Sequence, residues 1–266
     1  MTEIAYERRY CLFFDVLGFK NKVKSNAAQN IYDVLQEIRK THIYREVYGE
    51  YTSDSLFSSR KVTQFSDCIV VSYREGDFVG WMNIISDVFY LQLTLLRKGF
   101  LIRGAVTVGD MYHDEHYCFG PTLIEAAELE KLAMYPRVIL TEKFARRSLF
   151  DNPTVNSDLA ESRCINNMVD KDLDGVFYID YFNVSPDDFD GRIDDLFGYL
   201  QNLKESIIDL GDASKNNINL RLKYSWMRKK FEDMMSSIYS NDVPNIQGQA
   251  VPSIFKGICS ELRFTE

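Results

Sequence analysis

At 266 residues, 45% apolar and 26% charged, the chain has the size and composition of one large soluble globular domain, or of a domain with a helical appendage. A net charge of −8 speaks against nonspecific nucleic-acid binding, which needs a basic footprint, yet leaves room for a local cationic pocket that takes a small anion. No run reaches the roughly 18 to 20 apolar residues of a membrane span, and the charged start MTEIAYERRY lacks the apolar core of a signal peptide. The expected setting is cytoplasmic, with no membrane and no nucleic acid as partner. The five cysteines, Cys11, Cys68, Cys118, Cys164 and Cys259, contain no CxxC pair and read as reduced core thiols.

The elements follow in chain order. RYCLFFDV reads as a fully buried strand. Helical spacing runs over 17–47, with Ile31, Leu35 and Ile38 on one face. A polar stretch over 48–60 is loop. KVTQFSDCIVVSYR predicts two strands about a tight turn at Ser66-Asp67. A long amphipathic helix over 78–99 closes at Gly99. FLIRGAVTVGDMYH is a strand with one arginine inside it, and HYCF is a short strand. A helix with Pro121 in its first turn follows, and then the strand PRVILT. Residues 150–175 are polar and mostly loop. VFYIDYF is a further strand, and helical patterns over 188–211 and 216–239 form a hairpin. In the second pattern Leu220, Tyr224, Met227 and Phe231 mark an apolar stripe for core or dimer packing.

The order β-α-β-β-α-β predicts an α+β fold. It is a ferredoxin-like, palm-type split βαβ antiparallel sheet with helices on one face, plus the C-terminal helical hairpin. The expected division is a catalytic domain over 1–150 and an extension over 151–266, packed on the same fold, with the seam at 150–175.

In a split βαβ sheet the first strand lies beside the hairpin that follows. Asp15 ends that strand and Asp67 sits in the hairpin turn, so the topology brings both to one edge. Two neighbouring carboxylates repel and raise each other's pKa, and a divalent cation removes that penalty. Hard cations such as Mg²⁺ take oxygen ligands, commonly one or two carboxylates with substrate phosphates. In DVLGF the chain turns from strand to helix. There the free amides at the helix start would cradle a phosphate, and Gly18 would let the backbone approach closely. The competing readings are an Asp15 helix cap and an Asp67 turn residue. Arg103, flanked by Ile102 and Gly104, is costly to bury without an anion. Either it pairs with a residue such as Glu125, Glu128 or Glu130, or it lies on an exposed strand face, or else it meets a base or phosphate that its fork would grip.

These residues resemble the class III nucleotidyl cyclases. FFDVLGF matches that family's F-x-D-hydrophobic-x-G-F motif, and FSDCIVV its second metal aspartate, with serine for glycine. RGAVTVG corresponds to its R-x-G-I-H-x-G strand, and GPTLIEAAEL to its G-x-x-V-N-x-A-A-R-L helix. The resemblance covers about residues 8–145. It implies a homodimer with active sites between subunits, and a nucleoside triphosphate as substrate. The 3′-hydroxyl would attack the α-phosphate and release pyrophosphate and a 3′,5′-cyclic nucleotide. It also implies two bound ions, Mg²⁺ or Mn²⁺, on Asp15, Asp67 and the Val16 carbonyl. Phe14, Val16, Leu17, Gly18, Phe19 and Lys20 would line the phosphates.

The family's transition-state Asn and Arg fall on Ile124 and Glu128, and its purine-selecting Lys and Asp fall near Thr63 and Tyr117. With both metal aspartates kept, the chain looks like the bacterial pyrimidine cyclases of the Pycsar antiphage system. Those make cyclic UMP or cyclic CMP for a separate effector. Arg103 would partly replace the missing helical arginine, and Tyr117 or Tyr51 would meet a smaller base. His42, His113 and His116 show no metal spacing and read as structural or surface groups, and Arg137 as an edge or interface residue. The alternative functional reading is a catalytically degenerate nucleotide sensor or interaction module. A palm-type dinucleotide synthase is disfavoured, because FSDCI is not a GG[DE]EF-like turn.

Overall fold

A computed structural model describes residues 4–40, 59–77, 80–146 and 167–240, with Leu262 and Phe264. His42, Tyr51, Cys164 and Cys259 lie outside the described residues. β1 (Glu7–Val16) buries Tyr10, Cys11, Leu12, Phe14 and Val16, so both of its faces are covered and its apolar run is nearly unbroken. The helical stretch after it is two helices where the sequence suggests one, α1 (Phe19–Ser25) and α2 (Ala28–Arg39). Asn26 makes the break. Its backbone is extended, and both its amide and its side-chain Nδ2 donate to the Lys22 carbonyl, at 3.0 and 2.9 Å, closing α1. α2 buries Ile31, Val34 and Ile38, with Val34 in the place expected for Leu35.

β2 (Lys61–Phe65) and β3 (Cys68–Arg74) form the expected hairpin, with Ser66 in a left-handed conformation at φ 61°. α3 (Gly80–Arg97) ends before Gly99, whose φ of 73° suits glycine. Then come β4 (Ile102–His113), β5 (Cys118–Phe119), α4 (Pro121–Leu132), β6 (Val138–Leu140), α5 (Glu142–Ala145), β7 (Val169–Lys171) and β8 (Phe177–Ile179). The sheet order is β2-β3-β1-β4-β6-β8-β7, with β5 on β4. Its first four strands pair antiparallel in the expected split βαβ arrangement. β6 then joins parallel to β4, because a crossover through α4 returns the chain in the same direction, and the whole sheet is mixed.

Residues alternate between the faces. On one face the long helix α3 reaches β3, where the Tyr73 hydroxyl donates to Asp87 Oδ2 at 2.8 Å. Arg60 also binds Asp87, at 2.7 Å, and donates to the carbonyls of Ile38, Arg39 and Lys40, which ties down the end of α2. On the other face α4 packs through Ala126 and Leu123 onto Cys11, Phe13, Val70 and Met111.

The first compact unit runs to Asp180 and takes in β8, which pairs with β6. Arg137 is buried rather than on an edge or at an interface. It binds Asp172 and Asp174 in the β7–β8 turn, and the rings of Tyr135 and Tyr178 flank it. The second unit begins at Tyr181 and takes in Leu96–Gly99. It contains a capped 3-10 turn (Pro186–Phe189) and two long helices, α6 (Ile193–Ala213) and α7 (Ile218–Ser240). α6 buries Leu196, Tyr199, Leu200, Leu203 and Ile207. α7 buries Met227, Phe231 and Met235, while Leu220 and Tyr224 are half-buried. At Gly211 a Cβ would come within 2.9 Å of the Tyr224 ring, so glycine lets the two helices meet there.

The last residues of β4 curl over the α4 face. His113 reaches past β1 to bond Ser72 Oγ through Nδ1 at 2.8 Å and Thr63 Oγ1 through Nε2 at 2.9 Å. Arg9 Nε donates to the same Ser72 hydroxyl at 2.8 Å, beside a polar cavity of about 260 Å³. Burial, then the Arg9 charge, holds the His113 imidazole neutral, with its pKa lowered from 6.5 to about 4. An unfolded chain takes up the proton near 6.5, whereas the native one does so only near 4. Stability from this group is therefore complete above pH 6.5 and falls as pH drops towards 4, by up to about 3 kcal/mol. Urea midpoints measured between pH 7.5 and 4.5 will show that decline, and His113→Gln will flatten it.

Candidate metal centre

Cross-strand register assembles the site. Asp15 stands directly opposite Cys68 on β3 and Arg103 on β4, so the three side chains leave the same face. The hairpin turn sets Asp67 next to Cys68, and the Val16 amide donates to the Asp67 carbonyl at 3.2 Å, which ties that turn to the end of β1. A carboxylate oxygen of Asp15, one of Asp67 and the Cys68 sulfur all lie within 4.8 Å of one another, each on a half-buried residue. Burial first, and then the charges of Asp15, Asp67 and Glu130, push the Cys68 thiol above its usual pKa. Two carboxylates and a thiol in a field of that sign form a donor set that fits a divalent cation.

Arg103 takes the internal partner. Its Nε donates to Glu130 Oε1 at 2.6 Å, and its NH2 binds the same oxygen. Of the other two candidate partners, Glu125 lies 3.7 Å from Lys143, and Glu128 is exposed. The guanidinium thus sits beside Asp15 in register while it neutralises a nearly buried carboxylate of α4.

The residues after Asp15 divide by face. The Phe14 and Val16 side chains are buried on the side away from Asp15, which leaves only their backbone to serve a ligand. The Val16 amide is engaged by Asp67, and the Leu17 amide by the Leu101 carbonyl at 2.8 Å. Gly18 is left-handed at φ 71°, and a Cβ there would meet nothing within 4 Å. Glycine suits that backbone angle, and the turn is open on the side a Cβ would occupy. The Asn21 and Lys22 amides return to the Gly18 carbonyl. The Gly18, Phe19 and Lys20 amides precede those bonds, so the helix gives them no acceptor of its own. Lys20 is exposed and Phe19 is half-buried.

Tyr117 is exposed in the β4–β5 turn, where its amide donates to Asp114 at 2.6 Å. With the His116 amide and the Tyr112 hydroxyl, that bond lowers the Asp114 pKa to about 2. Ile124 and Glu128, one turn apart on α4, are both exposed. The Thr63 hydroxyl is bonded to His113, a neutral pair at the position where the resemblance expects a lysine. Cys68, read from sequence as a core thiol, is the residue at this centre that the pattern did not announce. Its place beside Asp67 in FSDCIVV was the available signal.

No protein-family model and no curated protein matches the sequence. Among solved structures the chain is similar to a bacterial light-regulated adenylyl cyclase, at 14% identity and a TM-score of 0.39, over 55% of this chain and 81% of that one. It is also similar to the adenylyl cyclase CyaB from P. aeruginosa, at 12% identity and 0.39, over 66% and 94%. A third is the catalytic core of a rhodopsin-guanylyl cyclase with converted specificity in complex with ATPalphaS, at 10% identity and 0.40, over 55% and 83%. Likenesses of this size add nothing to the strand order and residue geometry already described. Among the described residues no helix is long and apolar enough to cross a membrane.

The ion pair beside the centre makes its own prediction. Arg103→Ala leaves a carboxylate that is 6% exposed without its cation. We expect a loss of about 2–3 kcal/mol, less than for a fully buried pair because the Arg103 side chain keeps some solvent contact. The double variant Arg103→Ala/Glu130→Gln will recover most of that in urea unfolding, and strictly additive losses would rule out the coupling.

Proposed function

We propose that the chain is a metal-dependent nucleotidyl cyclase that converts a pyrimidine nucleoside triphosphate, UTP or CTP, to a 3′,5′-cyclic nucleotide and pyrophosphate. The observation that carries this reading is the meeting of the Asp15 and Asp67 carboxylates at the end of β1, on a ferredoxin-like sheet. A divalent cation, Mg²⁺ or Mn²⁺, bound there would supply charge neutralisation and hydroxyl activation. Asp15 and Asp67 would hold two such ions, with the Val16 carbonyl as a further ligand.

The chain's own groups would do the rest. The Gly18, Phe19 and Lys20 amides and the Lys20 ammonium would bind phosphate oxygens. Phe14 and Leu17 would serve mainly by placing that turn. Arg103, oriented by Glu130, would put positive charge next to Asp15 as the α-phosphorus takes the 3′-oxygen and the bond to the bridging oxygen breaks. Thr63 and Tyr117 support a pyrimidine, since neither brings the charge with which the resemblance selects a purine. Tyr117 would be the group that meets the base.

The proposed assembly is a cytoplasmic homodimer. Residues 1–150 would form its catalytic domain and 151–266 an extension, and its product would signal to a separate effector in antiphage defence. One observation favours a second reading, a nucleotide sensor without turnover. α4 exposes Ile124 and Glu128 where the resemblance expects an amide and a guanidinium.

Purified protein with Mn²⁺ and each of the four nucleoside triphosphates, read by mass spectrometry, separates the two. We expect cyclic UMP or cyclic CMP with pyrophosphate, and a rate at least about 100-fold lower for Asp67→Ala. Tight binding without product would leave the sensor. Wild-type turnover by Asp67→Ala would remove the proposed mechanism.

A further inference from the structure

We infer that Cys68 is a third protein ligand of the Asp15–Asp67 cation site, so that the site takes thiophilic and borderline divalent ions. The inference rests on the reading of that site as a metal centre, and it changes which ions the centre prefers.

Three independent observations lead to the sulfur. The first is register. Cys68 is the cross-strand partner of Asp15 and the chain neighbour of Asp67, so its side chain leaves β3 on the face of the carboxylates. The second is distance. All three donor atoms lie within 4.8 Å of one another. Donor atoms that share one ion stand roughly 3.3 to 4.5 Å apart, given metal–sulfur and metal–oxygen bonds of about 2.3 and 2.1 Å.

The third is exposure. Cys11 lies on the same face but is fully buried against Val70, Met111 and Ala126, as a packing thiol should be. Cys68 is half-buried and in no disulfide, with a carboxylate on either side and Glu130 close enough to act on it electrostatically. A thiol that served only as an apolar filler would not stand within reach of two carboxylates.

The chemistry follows from the donor set. Two carboxylates alone suit Mg²⁺ and Mn²⁺, whereas a thiolate added to them favours Zn²⁺, Co²⁺ and Cd²⁺. On coordination the thiol releases its proton to solvent and the sulfur donates to the ion. Zn²⁺ outranks Mn²⁺ at almost any such site, so a bare preference for Zn²⁺ proves nothing. The contrast that isolates sulfur is wild type against Cys68→Ser.

The test uses the full chain and Cd²⁺ as probe, with Mn²⁺ binding counted in parallel by electron paramagnetic resonance. Wild type should gain the ultraviolet thiolate-to-cadmium charge-transfer absorption at one equivalent. Cys68→Ser should lose that absorption, together with about tenfold or more of the Cd²⁺ affinity, and should keep its Mn²⁺ binding to a much greater extent. Asp67→Asn should weaken both ions. A readout that needs no variant is alkylation mapped by peptide mass spectrometry, in which Cd²⁺ should protect Cys68 selectively. Mn²⁺ binding that depends on Asp67, with no charge-transfer band and no protection of Cys68, would overturn the inference and leave the carboxylate centre standing. Binding of neither ion would remove both.

Discussion

The pairing of β1 with β3 on one side and β4 on the other is the constraint from which the candidate site follows. Asp15 meets Cys68 and Arg103 only because Phe14 is opposite Ile69 and Gly104 in the same ladders. A slip of one residue would turn Asp15 into the core and bring Phe14 out among the polar groups. Tyr10, Leu12, Phe14 and Val16 are all buried on the far face, so that slip would take four large apolar side chains out of the places shaped for them and drive Asp15 into an apolar layer. Packing on both faces of β1 therefore holds the register more firmly than the contacts among the polar residues at its end. Gly104 has the same role at close quarters, since a Cβ there would lie 2.6 Å from the Phe13 carbonyl oxygen. The chemistry is placed by packing that takes no part in it.

How much of this was legible in the sequence depends on how strong a local signal each element carries. β1, the β2–β3 hairpin, α3 and the two long C-terminal helices have long apolar patterns or turn residues, and they lie where the pattern puts them. α1 and α2 were run together because a single asparagine, held by two bonds to the Lys22 carbonyl, ends a helix without a glycine or proline to mark it. β7 is three residues, Val169–Lys171, with only Val169 partly buried, and its pairing to β8 rather than its composition makes it a strand. Arg137 was misread for a related reason. A charged residue in a short strand looks like an edge until the distant Asp172 and Asp174 come round to it.

The site divides in the same way. Asp15, Asp67 and Gly18 carry local signals, a carboxylate after an apolar run, a turn, and a glycine before a helix. Arg103 showed as an anomaly within a strand, though its choice among three glutamates needed the third dimension. Cys68 offered only its place beside Asp67, and a cysteine beginning an apolar strand is what a core looks like. The donor role proposed for it depends on Asp15, a neighbour far back in the chain. Tyr117 was placed by alignment to a motif alone, and the fold keeps it in a turn of its own.

Charge ties the fold to the proposed chemistry. Among the described residues the buried guanidiniums each meet acidic partners close by: Arg9 with Glu7, Arg60 with Asp87, and Arg137 with Asp172 and Asp174. Arg103 follows the same rule with Glu130, and that bond engages the one cation in register with Asp15. Formal charge at the end of β1 is then Asp15 and Asp67 against a guanidinium already matched. A phosphate brought to that place alone would meet net repulsion from a chain that is itself acidic. A divalent cation between the carboxylates would reverse that sign, and the amides of the Gly18 turn with the Lys20 ammonium would then offer the proposed place for the same phosphate. On this reading the cation would be the condition for the anion, and the Arg103–Glu130 pair would hold the guanidinium in place beside Asp15 for the charge that develops during reaction.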